Sequence, residues 1–346
     1  MIQSEHARSR GSMSLKKAMT PHDCEENKAR VFSVIQQFLQ RTPLVIWGSG
    51  ATVACGLPTM RDLGKYVKNE LSLPIDENAD FEEQLCKSEF ESRLDDIRKS
   101  IWTYINAADL NVRAKITNGG DENINAITLL LKTFCNNHPQ TIKVVTTNYD
   151  RVLENVSAWN GLSYADGSGL GDLTDFSLTR FEGKINVKIV KVHGSLSWGR
   201  FKRGVMPRVS HISTDDVENV IIIPGNNKYK EAYSSPYREL IQMSDEYVKE
   251  AVAFLVVGFG FNDMHITPNV SEKIRNGTPV IVVTMQPTKN TTDLITNAKR
   301  YIMLTKDDVD PEMTHVEFKE KDSSVVETTA LMGKFWSLSG FMEALS

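Results

Sequence analysis

The segment "PLVIWGSGATVACG" (43–56) decides the fold, because it places a short apolar strand directly before a glycine-bearing turn. Gly48 and Gly50 would let backbone amides approach a phosphate group, and the start of the following helix would add its positive dipole. The G-x-G-x-x-G pattern nevertheless fails at its third glycine, where Val53 stands, although Gly56 follows. No acidic residue follows about 20 positions later at a recognisable strand end, so an ordinary dehydrogenase site is not favoured.

Further apolar runs bounded by turn signals predict more strands. Most of these runs are continuous, as in parallel strands that are buried on both faces. Helical spacing of apolar residues predicts helices at 22–40 and 235–251, and the tail at 325–346 suggests a terminal helix. The architecture predicted is a doubly wound α/β fold. Its additional strand candidates are "TIKVVTTN" (141–148), "INVKIVKVHG" (185–194), "VENVIIIP" (217–224), "AVAFLVVGFG" (251–260) and "PVIVVT" (279–284).

The charge-rich segment at about 62–138 is mostly helical in pattern and contains no convincing strand. We therefore expect a helical insertion at about 62–138 within one domain that spans 22–346. The core of this domain would comprise about 22–61 and 139–346. The polar segment 1–21 would form a flexible N-terminal arm.

The composition is that of a soluble globular protein, with 346 residues, 40% hydrophobic and 24% charged. The formal net charge of −4 gives no electrostatic reason to expect nucleic acid as the main ligand. The longest apolar run, "AVAFLVVGFGF" (251–261), is shorter than the roughly 20 residues that span a bilayer. The N-terminus lacks the apolar segment of a secretory signal. We therefore expect a cytoplasmic protein without a membrane segment.

The four cysteines, at positions 24, 55, 86 and 135, lie far apart and no pair has C-x-x-C spacing. A structural zinc ribbon is therefore not expected, and scattered thiols fit a reducing compartment. No H-x-x-x-H pair or clustered set of carboxylates is present either. We therefore expect no metal cofactor.

Polar residues follow several of the predicted strands at the point where each strand ends. Asn148 and Asp150 follow one strand, His193 follows the next, and Asp263 and His265 follow a later one. The carboxyl ends of parallel strands meet at one rim of a sheet, which is where ligands bind in such folds. We therefore expect these residues to converge.

Other interpretations of the same residues remain open. His193 or Asn148 could simply occupy a turn, and Asp263 with His265 could equally form a salt link within a loop or cap a helix. Ser195 with His193 could form a nucleophile pair, although no G-x-S-x-G nucleophile elbow is present. Trp47 and Trp198 are better explained as packing groups than as stacking groups.

Three ordered motifs resemble the signatures of the sirtuin (SIR2) family. "GSGATVACGLPTMR" (48–61) resembles "GAGISTASGIPDFR", "TTNYD" (146–150) resembles "TQNID", and "VHGS" (192–195) resembles "LHGS". Their order and spacing agree, and the resemblance covers about residues 43–285. It implies a Rossmann-like fold that takes NAD as its substrate.

The resemblance also implies a role for each matching residue. His193 would be the active-site base beside the nicotinamide ribose, Asn148 would hold the ribose hydroxyls or a water, and Asp150 would face the nicotinamide carboxamide. Gly258, Asp263 and His265 would help to bind the substrate from the late strand. The loop that would wrap the pyrophosphate comprises Gly48, Ser49, Gly50, Ala51, Thr52 and Pro58, with Arg61 near its far side.

Departures from the sirtuin pattern change the expected reaction. Thr59 and Met60 replace the family's Asp-Phe pair, the four-cysteine zinc module is missing, and "GFGFNDMH" (258–265) replaces its Gly-Thr-Ser. These changes resemble the diverged SIR2-like domains of bacterial antiphage defence systems, which hydrolyse NAD. We therefore expect an NAD glycohydrolase that depletes NAD in abortive infection.

The resemblance to defence domains also implies low basal activity and control by assembly. We expect a homo-oligomer, or a partner such as a HerA-like ATPase or a short Argonaute. An NAD-dependent protein deacylase and a non-catalytic sensor of NAD or ADP-ribose are the alternatives. The motifs do not distinguish NAD from NADP.

Overall fold

The computed structural model describes residues 21–168, 175–201, 205–207, 217–225, 231–320 and 325–346. Residues 1–20 of the expected N-terminal arm lie outside these ranges. A nine-stranded sheet has the strand order β12-β11-β10-β9-β8-β1-β2-β4-β3. Its strands are β1 Leu44–Trp47, β2 Ile142–Thr146, β3 Tyr164–Ala165, β4 Val187–Lys191, β8 Phe254–Val257, β9 Val280–Val283, β10 Tyr301–Lys306, β11 Met313–Lys319 and β12 Glu327–Met332.

Helices cover both faces of this sheet, and the alternation of side chains along each strand supplies a separate hydrophobic core to each face. Val45 and Trp47 of β1 join one core, whereas Leu44 and Ile46 join the other. The first face is covered by α1 (Pro21–Phe38), α5 (Leu94–Thr117), α6 (Glu122–Cys135), α7 (Val152–Trp159) and α11 (Leu338–Leu345). The second face is covered by α8 (Tyr237–Glu250), α9 (Thr267–Arg275) and α10 (Lys289–Thr296). The predicted doubly wound, Rossmann-like α/β fold is therefore confirmed, and burial on both faces explains why its strands are continuously apolar.

The helices predicted at 22–40 and 235–251 are present, and residues 62–138 contain helices without a strand. The division into arm, core and insertion remains a prediction. None of the described helices is long and apolar enough to cross a membrane.

The helices are α1 Pro21–Phe38, α2 Gly50–Val53, α3 Met60–Leu71, α4 Phe81–Leu85, α5 Leu94–Thr117, α6 Glu122–Cys135, α7 Val152–Trp159, α8 Tyr237–Glu250, α9 Thr267–Arg275, α10 Lys289–Thr296 and α11 Leu338–Leu345, with 3-10 turns at Ser88–Arg93 and Leu178–Phe181.

The order of the strands creates a topological switch point between β1 and β8. From β1 the chain continues to β2 and β4 on one side, whereas from β8 it continues to β9 and β10 on the other. All of these neighbours are parallel, so the loops after β1 and β8 leave the same rim in opposite directions. Such a crevice is where ligands bind in open α/β sheets.

The run at 217–224 is a strand, but it does not belong to the parallel sheet as the sequence analysis suggested. Strand β7 (Glu218–Ile221) pairs antiparallel with β5 (Gly194–Arg200), which also pairs with β6 (Val205–Pro207) in a separate three-stranded sheet. Val220 and Ile221 are fully buried because they pack into the two cores beside the main sheet. Burial on both faces therefore explains why β7 is continuously apolar although it has no parallel neighbour.

The prediction of a helical tail is wrong for its first half. Strand β12 pairs antiparallel with β11 before α11 begins at Leu338. Along β11 the side chains alternate between buried and partly exposed positions, as expected for an antiparallel strand with one solvated face. Strands β10, β11 and β12 were not predicted, and β11 and β12 lack the continuous apolar run that marks a strand buried on both faces.

The loops after β1 and β8 touch backbone to backbone at Gly258, whose φ is +58°. A Cβ atom at this position would lie 2.2 Å from the backbone nitrogen of Ala51. We expect Gly258→Ala to cost about 1–2 kcal/mol for the left-handed backbone and about 1–3 kcal/mol more for the clash. Urea unfolding measures this loss of stability.

Gly161→Ala is the matched control for that substitution. Its φ is +69°, and a Cβ atom there would meet nothing within 4 Å, so only the backbone cost applies. Equal destabilisation by the two substitutions would contradict the close packing of the two loops.

Candidate active site

A cleft opens at the switch point, with about 970 Å³ of empty space that is partly open to solvent. Loops after β1, β2, β4 and β8 contribute to its wall, and helices α3 to α5 contribute Met60, Leu63, Glu82 and Ile105. The convergence of strand-end loops that the sequence analysis expected is therefore present. The remaining lining residues are Ser49, Thr52, Leu57, Pro58, Thr147, Asn148, Tyr149, Asp150, His193, Ile222, Pro224, Gly258, Phe259, Gly260, Asn262 and Asp263.

The glycine-bearing turn is held against the neighbouring strand through its backbone. The nitrogen of Gly48 donates to the carbonyl oxygen of Val257 at 2.9 Å, and that of Gly50 donates to Gly258 at 3.0 Å. A Cβ atom on Gly48 would lie 2.2 Å from the carbonyl oxygen of Gly258, so only glycine fits there. The glycines therefore serve the packing of two loops, and Ser49 and Thr52 present side chains to the cleft.

Asn148 is fixed by its amide nitrogen. Nδ2 donates to the carbonyl oxygen of Gly48 at 3.1 Å and to Oγ1 of Thr52 at 3.3 Å. The backbone nitrogen of Asn148 donates to Oγ1 of Thr146, which in turn donates to the carbonyl oxygen of Trp47 at 2.7 Å. This assignment of the amide leaves Oδ1, which has no partner within the described residues, as an acceptor for a ligand.

Asp150 is buried and its carboxylate is engaged by protein groups. Oδ2 accepts from Thr52 at 3.3 Å and Oδ1 accepts from the backbone nitrogen of Val152 at 3.1 Å. Burial raises the pKa of this carboxyl, and the nearby charge of Lys191 opposes the rise. Asp150 thus joins the first loop to the start of α7 and also lines the cleft.

Two buried ion pairs lie directly behind this wall. Lys191 contacts Glu154 at 2.7 Å and also donates to the carbonyl oxygen of Asp150. Burial raises the pKa of Glu154 to about 7. Arg151 pairs with Asp109 of α5 at 2.7 Å, so the helical segment is tied to the loop that carries Asn148. Separating the partners of such a pair would leave a buried charge without a partner, which is strongly destabilising. The two pairs therefore fix the position of the loop that carries Asn148.

His193 stands at the centre of a three-residue polar cluster. Its Nε2 lies 3.0 Å from Oδ2 of Asp263 and 3.3 Å from Nδ1 of His265. Oδ1 of Asp263 accepts from the backbone nitrogens of His265 and Ile266 at 3.0 and 3.2 Å. Asp263 therefore holds the turn before α9 through backbone amides and also contacts His193, which is neither the salt link within the loop nor the helix cap considered from the sequence.

The structure places most of the predicted site residues in or beside the cleft, whereas their roles remain predictions. Gly48, Gly50 and Ala51 lie behind the lining, and His265 reaches it through His193. Arg61 is exposed on α3 and its nearest described partner is Asn78 at 3.5 Å, so it does not line the cleft. The residues that do line it are Ser49, Thr52, Pro58, Asn148, Asp150, His193, Gly258 and Asp263.

Several contributing residues were not predicted. The only sequence signal for Lys191 was its position as a charged residue within an apolar run. No local pattern in the sequence marked Asp109 as a residue near the site. Thr59, one of the departures from the sirtuin pattern, begins α3 with a capping box in which its side chain and that of Asp62 accept each other's backbone N–H groups. Thr59 therefore serves to start α3 in this chain.

Ser195, the nucleophile considered from the sequence, can be set aside, and so can the nearby thiol of Cys55. Ser195 is fully buried and its Oγ accepts from the backbone nitrogen of Ser197 at 3.2 Å. Cys55 is also fully buried, and burial raises the pKa of its thiol to about 12. A thiol with so high a pKa is a poor nucleophile at neutral pH. Trp47 and Trp198 are buried packing groups, as predicted.

The sequence model of the SIR2-like domain family matches residues 142–326. This range covers more than half of the chain and includes Asn148, His193 and Asp263. The chain therefore belongs to the SIR2-like domain family. No match was found among curated proteins.

Solved structures of Sir2 proteins are similar to this chain over most of their length. A Sir2 homolog in complex with NAD shares 15% identity, with 79% of this chain and 87% of that chain covered and a TM-score of 0.45. A Sir2 homologue mutant with ADP-ribose shares 14% identity, with 75% and 86% covered and a TM-score of 0.43. Sir2Tm bound to a propionylated peptide shares 14% identity, with 75% and 88% covered and a TM-score of 0.42.

Proposed function

We propose that this protein is an NAD glycohydrolase that converts NAD and water to nicotinamide and ADP-ribose. The observation that carries the proposal is the shared cleft at the β1–β8 switch point, where Asn148, His193 and the 48–58 loop meet. Membership of the SIR2-like family supports NAD as the substrate. The Sir2 homolog solved with NAD is consistent with this choice.

The reaction breaks the C1′–N bond of the nicotinamide ribose, and both bonding electrons pass to the pyridine nitrogen. The oxygen of water then bonds to C1′, and one proton is released. Such a reaction needs a well-positioned nucleophile more than a strong acid. Oδ1 of Asn148 can accept a hydrogen bond from that water or from a ribose hydroxyl, because its Nδ2 is already occupied by Gly48 and Thr52.

His193 is the base in this proposal. An imidazole can accept a proton near neutral pH from the water or from a ribose hydroxyl. Asp263 is a positioning residue, since its Oδ2 lies 3.0 Å from Nε2 of His193 while backbone amides hold its Oδ1. The same carboxylate would stabilise the imidazolium that forms when the proton is accepted.

Two alternatives share this site. A protein deacylase would use the same Asn148 and His193, but the sequence lacks the C-x-x-C pairs of the zinc module of protein-deacylating sirtuins. A sensor of NAD or ADP-ribose would bind without turnover, and a pure sensor has no need of a histidine paired with a carboxylate. The observed pairing of His193 with Asp263 therefore favours an enzyme.

A role in antiphage defence forms the wider part of the proposal. Depletion of NAD would stop growth of an infected cell, so the resting enzyme must be restrained. We propose control by assembly, either into a homo-oligomer or with a partner such as a HerA-like ATPase or a short Argonaute. The link between Asp109 of α5 and Arg151 beside Asn148 gives the helical segment a direct mechanical connection to the site.

The test is the dependence of NAD consumption on a second substrate. Nicotinamide and ADP-ribose are quantified after the purified chain is incubated with NAD alone, and with NAD plus an acetyl-lysine peptide, over a range of protein concentrations. We expect release of both products without peptide, at a rate per chain that rises with concentration. NADP in place of NAD measures the preference between the two dinucleotides.

Other results would point to the alternatives. Turnover only with peptide would identify a deacylase, and a thermal shift with NAD but no turnover at any concentration or with any partner would identify a sensor. A rate per chain that is independent of concentration and partner would contradict control by assembly.

A further inference from the structure

The cluster around His193 has the composition of a metal site as well as that of a proton-transfer site. Nε2 of His193, Oδ2 of Asp263 and Nδ1 of His265 all lie within 4.8 Å of one another. Two imidazole nitrogens and one carboxylate oxygen form a donor set that suits zinc and related first-row ions, and suits magnesium and calcium less well.

The distances within the cluster match those between ligands that share one small ion. With metal–ligand bonds of about 2.0–2.1 Å, neighbouring ligand atoms of a tetrahedral site lie about 3.3 Å apart. Nε2 of His193 lies 3.3 Å from Nδ1 of His265 and 3.0 Å from Oδ2 of Asp263. Two of the three distances between ligand atoms are therefore close to this spacing, and the third, between Asp263 and His265, is no more than 4.8 Å.

The ligands are also held from behind, as in established metal sites. Oδ1 of Asp263 accepts from the backbone nitrogens of His265 and Ile266, which fixes the carboxylate with Oδ2 beside Nε2 of His193. The carbonyl oxygen of His193 accepts from the backbone nitrogen of Ile222 at 2.9 Å, which fixes the chain at that position. His193 and Asp263 both line the cleft, so a fourth ligand could come from water there.

We propose that His193, Asp263 and His265 bind a divalent transition-metal ion of the zinc type, and that the protein does not hydrolyse NAD while this ion is bound. The inhibitory part rests on the proposed function. A neutral imidazole that coordinates through Nε2 carries its hydrogen on Nδ1, so neither nitrogen can then accept a proton. The ion also takes the carboxylate that positions His193.

The binding test uses Co²⁺ with the full-length chain, after chelator treatment and dialysis. The absorbance titration is made in a Cys86→Ser background, because Cys86 carries an exposed thiol that could itself bind metal. We expect ligand-field bands with the strong absorbance of tetrahedral Co²⁺, which stoichiometric Zn²⁺ removes. Asp263→Asn and His265→Gln should weaken binding by about 10- to 100-fold or more.

Asp263→Asn retains an oxygen at the Oδ1 position, so it can keep the turn before α9 while altering the metal-binding atom. His138→Gln is the matched control, because His138 is exposed and lies outside the cleft. Equal Co²⁺ affinity in all of these variants, or weak octahedral spectra throughout, would overturn the metal site.

The activity test separates this inference from the proposed function. If the enzyme turns over NAD, Zn²⁺ should inhibit it, EDTA should restore it, and His265→Gln should raise the inhibitory Zn²⁺ concentration in parallel with the Co²⁺ affinity. NAD turnover that is unaffected by a Zn²⁺-filled cluster would overturn the inhibitory part and leave the hydrolase intact. Tetrahedral Co²⁺ at the cluster, with no NAD turnover at any protein concentration or with any partner, would support the metal site and contradict the hydrolase.

Discussion

Replacement of His193 by alanine is expected to lower the rate of NAD hydrolysis by about 10²- to 10⁴-fold, the usual contribution of a positioned general base. The loss follows from removal of the only imidazole that lines the cleft in the described part of the chain. Binding of NAD should persist, because the 48–58 loop and Asn148 are untouched. Product formation is measured at saturating NAD, and binding is measured by thermal shift.

His138→Ala is the matched control for His193→Ala. Both substitutions remove one imidazole, but His138 is exposed and lies beyond the cleft. We expect wild-type activity from this control. A His193→Ala rate within about threefold of wild type would exclude general base catalysis by this residue, because the smallest contribution expected of a base is about 10².

The position of the site was predictable from the sequence because parallel strands share one rim. Asn148 and His193 each follow a buried apolar run, and Gly48 follows a third. In a doubly wound sheet the loops after such runs converge wherever neighbouring strands are parallel. The sequence also indicated which strands these were, since burial on both faces makes them continuously apolar.

The chemical detail within the site was not predictable in the same way. The sequence places Asp263 and His265 two positions apart, but their contacts with His193 depend on the angle at which two separate loops leave the sheet. The left-handed backbone of Gly258 sets one of those angles, and the packing of Gly48 against it sets the distance. Neither is encoded in a local pattern of residues.

Two of the strands that were not predicted share one physical cause. Strands β11 and β12 form the antiparallel side of the sheet and have a partly solvated face. Their residues alternate or vary in polarity, so a search for continuous apolar runs passes over them, whereas β10 is a buried, mostly apolar run that was overlooked. The ion pair between Asp109 and Arg151 was missed for another reason, because it joins residues 42 positions apart.

Replacement of Asn148 by alanine should lower the rate of NAD hydrolysis by about 10²-fold or more, since misplacement of a reacting group by about 1 Å can cost that much. The alanine removes the amide oxygen that would orient water, whereas His193 and its carboxylate remain in place. Asn148→Asp should be equally inactive. It would direct a carboxylate oxygen at the carbonyl of Gly48 and add a charge close to Asp150.

Thr52→Val provides a graded test of the same idea. Valine keeps the shape of threonine but removes the Oγ1 that accepts from Nδ2 of Asn148 at 3.3 Å, while the bond to Gly48 at 3.1 Å remains. Thr52→Val also removes the hydrogen bond that Oγ1 donates to Oδ2 of Asp150 at 3.3 Å. Loss of these two hydrogen bonds costs about 1 kcal/mol each, so the rate should fall by about 10- to 30-fold at most. If the rate decreases from wild type to Thr52→Val and again to Asn148→Ala, while NAD affinity stays similar in all three, then Asn148 orients the attacking group. A loss of NAD affinity, with an unchanged rate at saturating NAD, would instead assign Asn148 to substrate binding. Interactions that are made equally in the ground state and the transition state change KM and leave kcat unchanged.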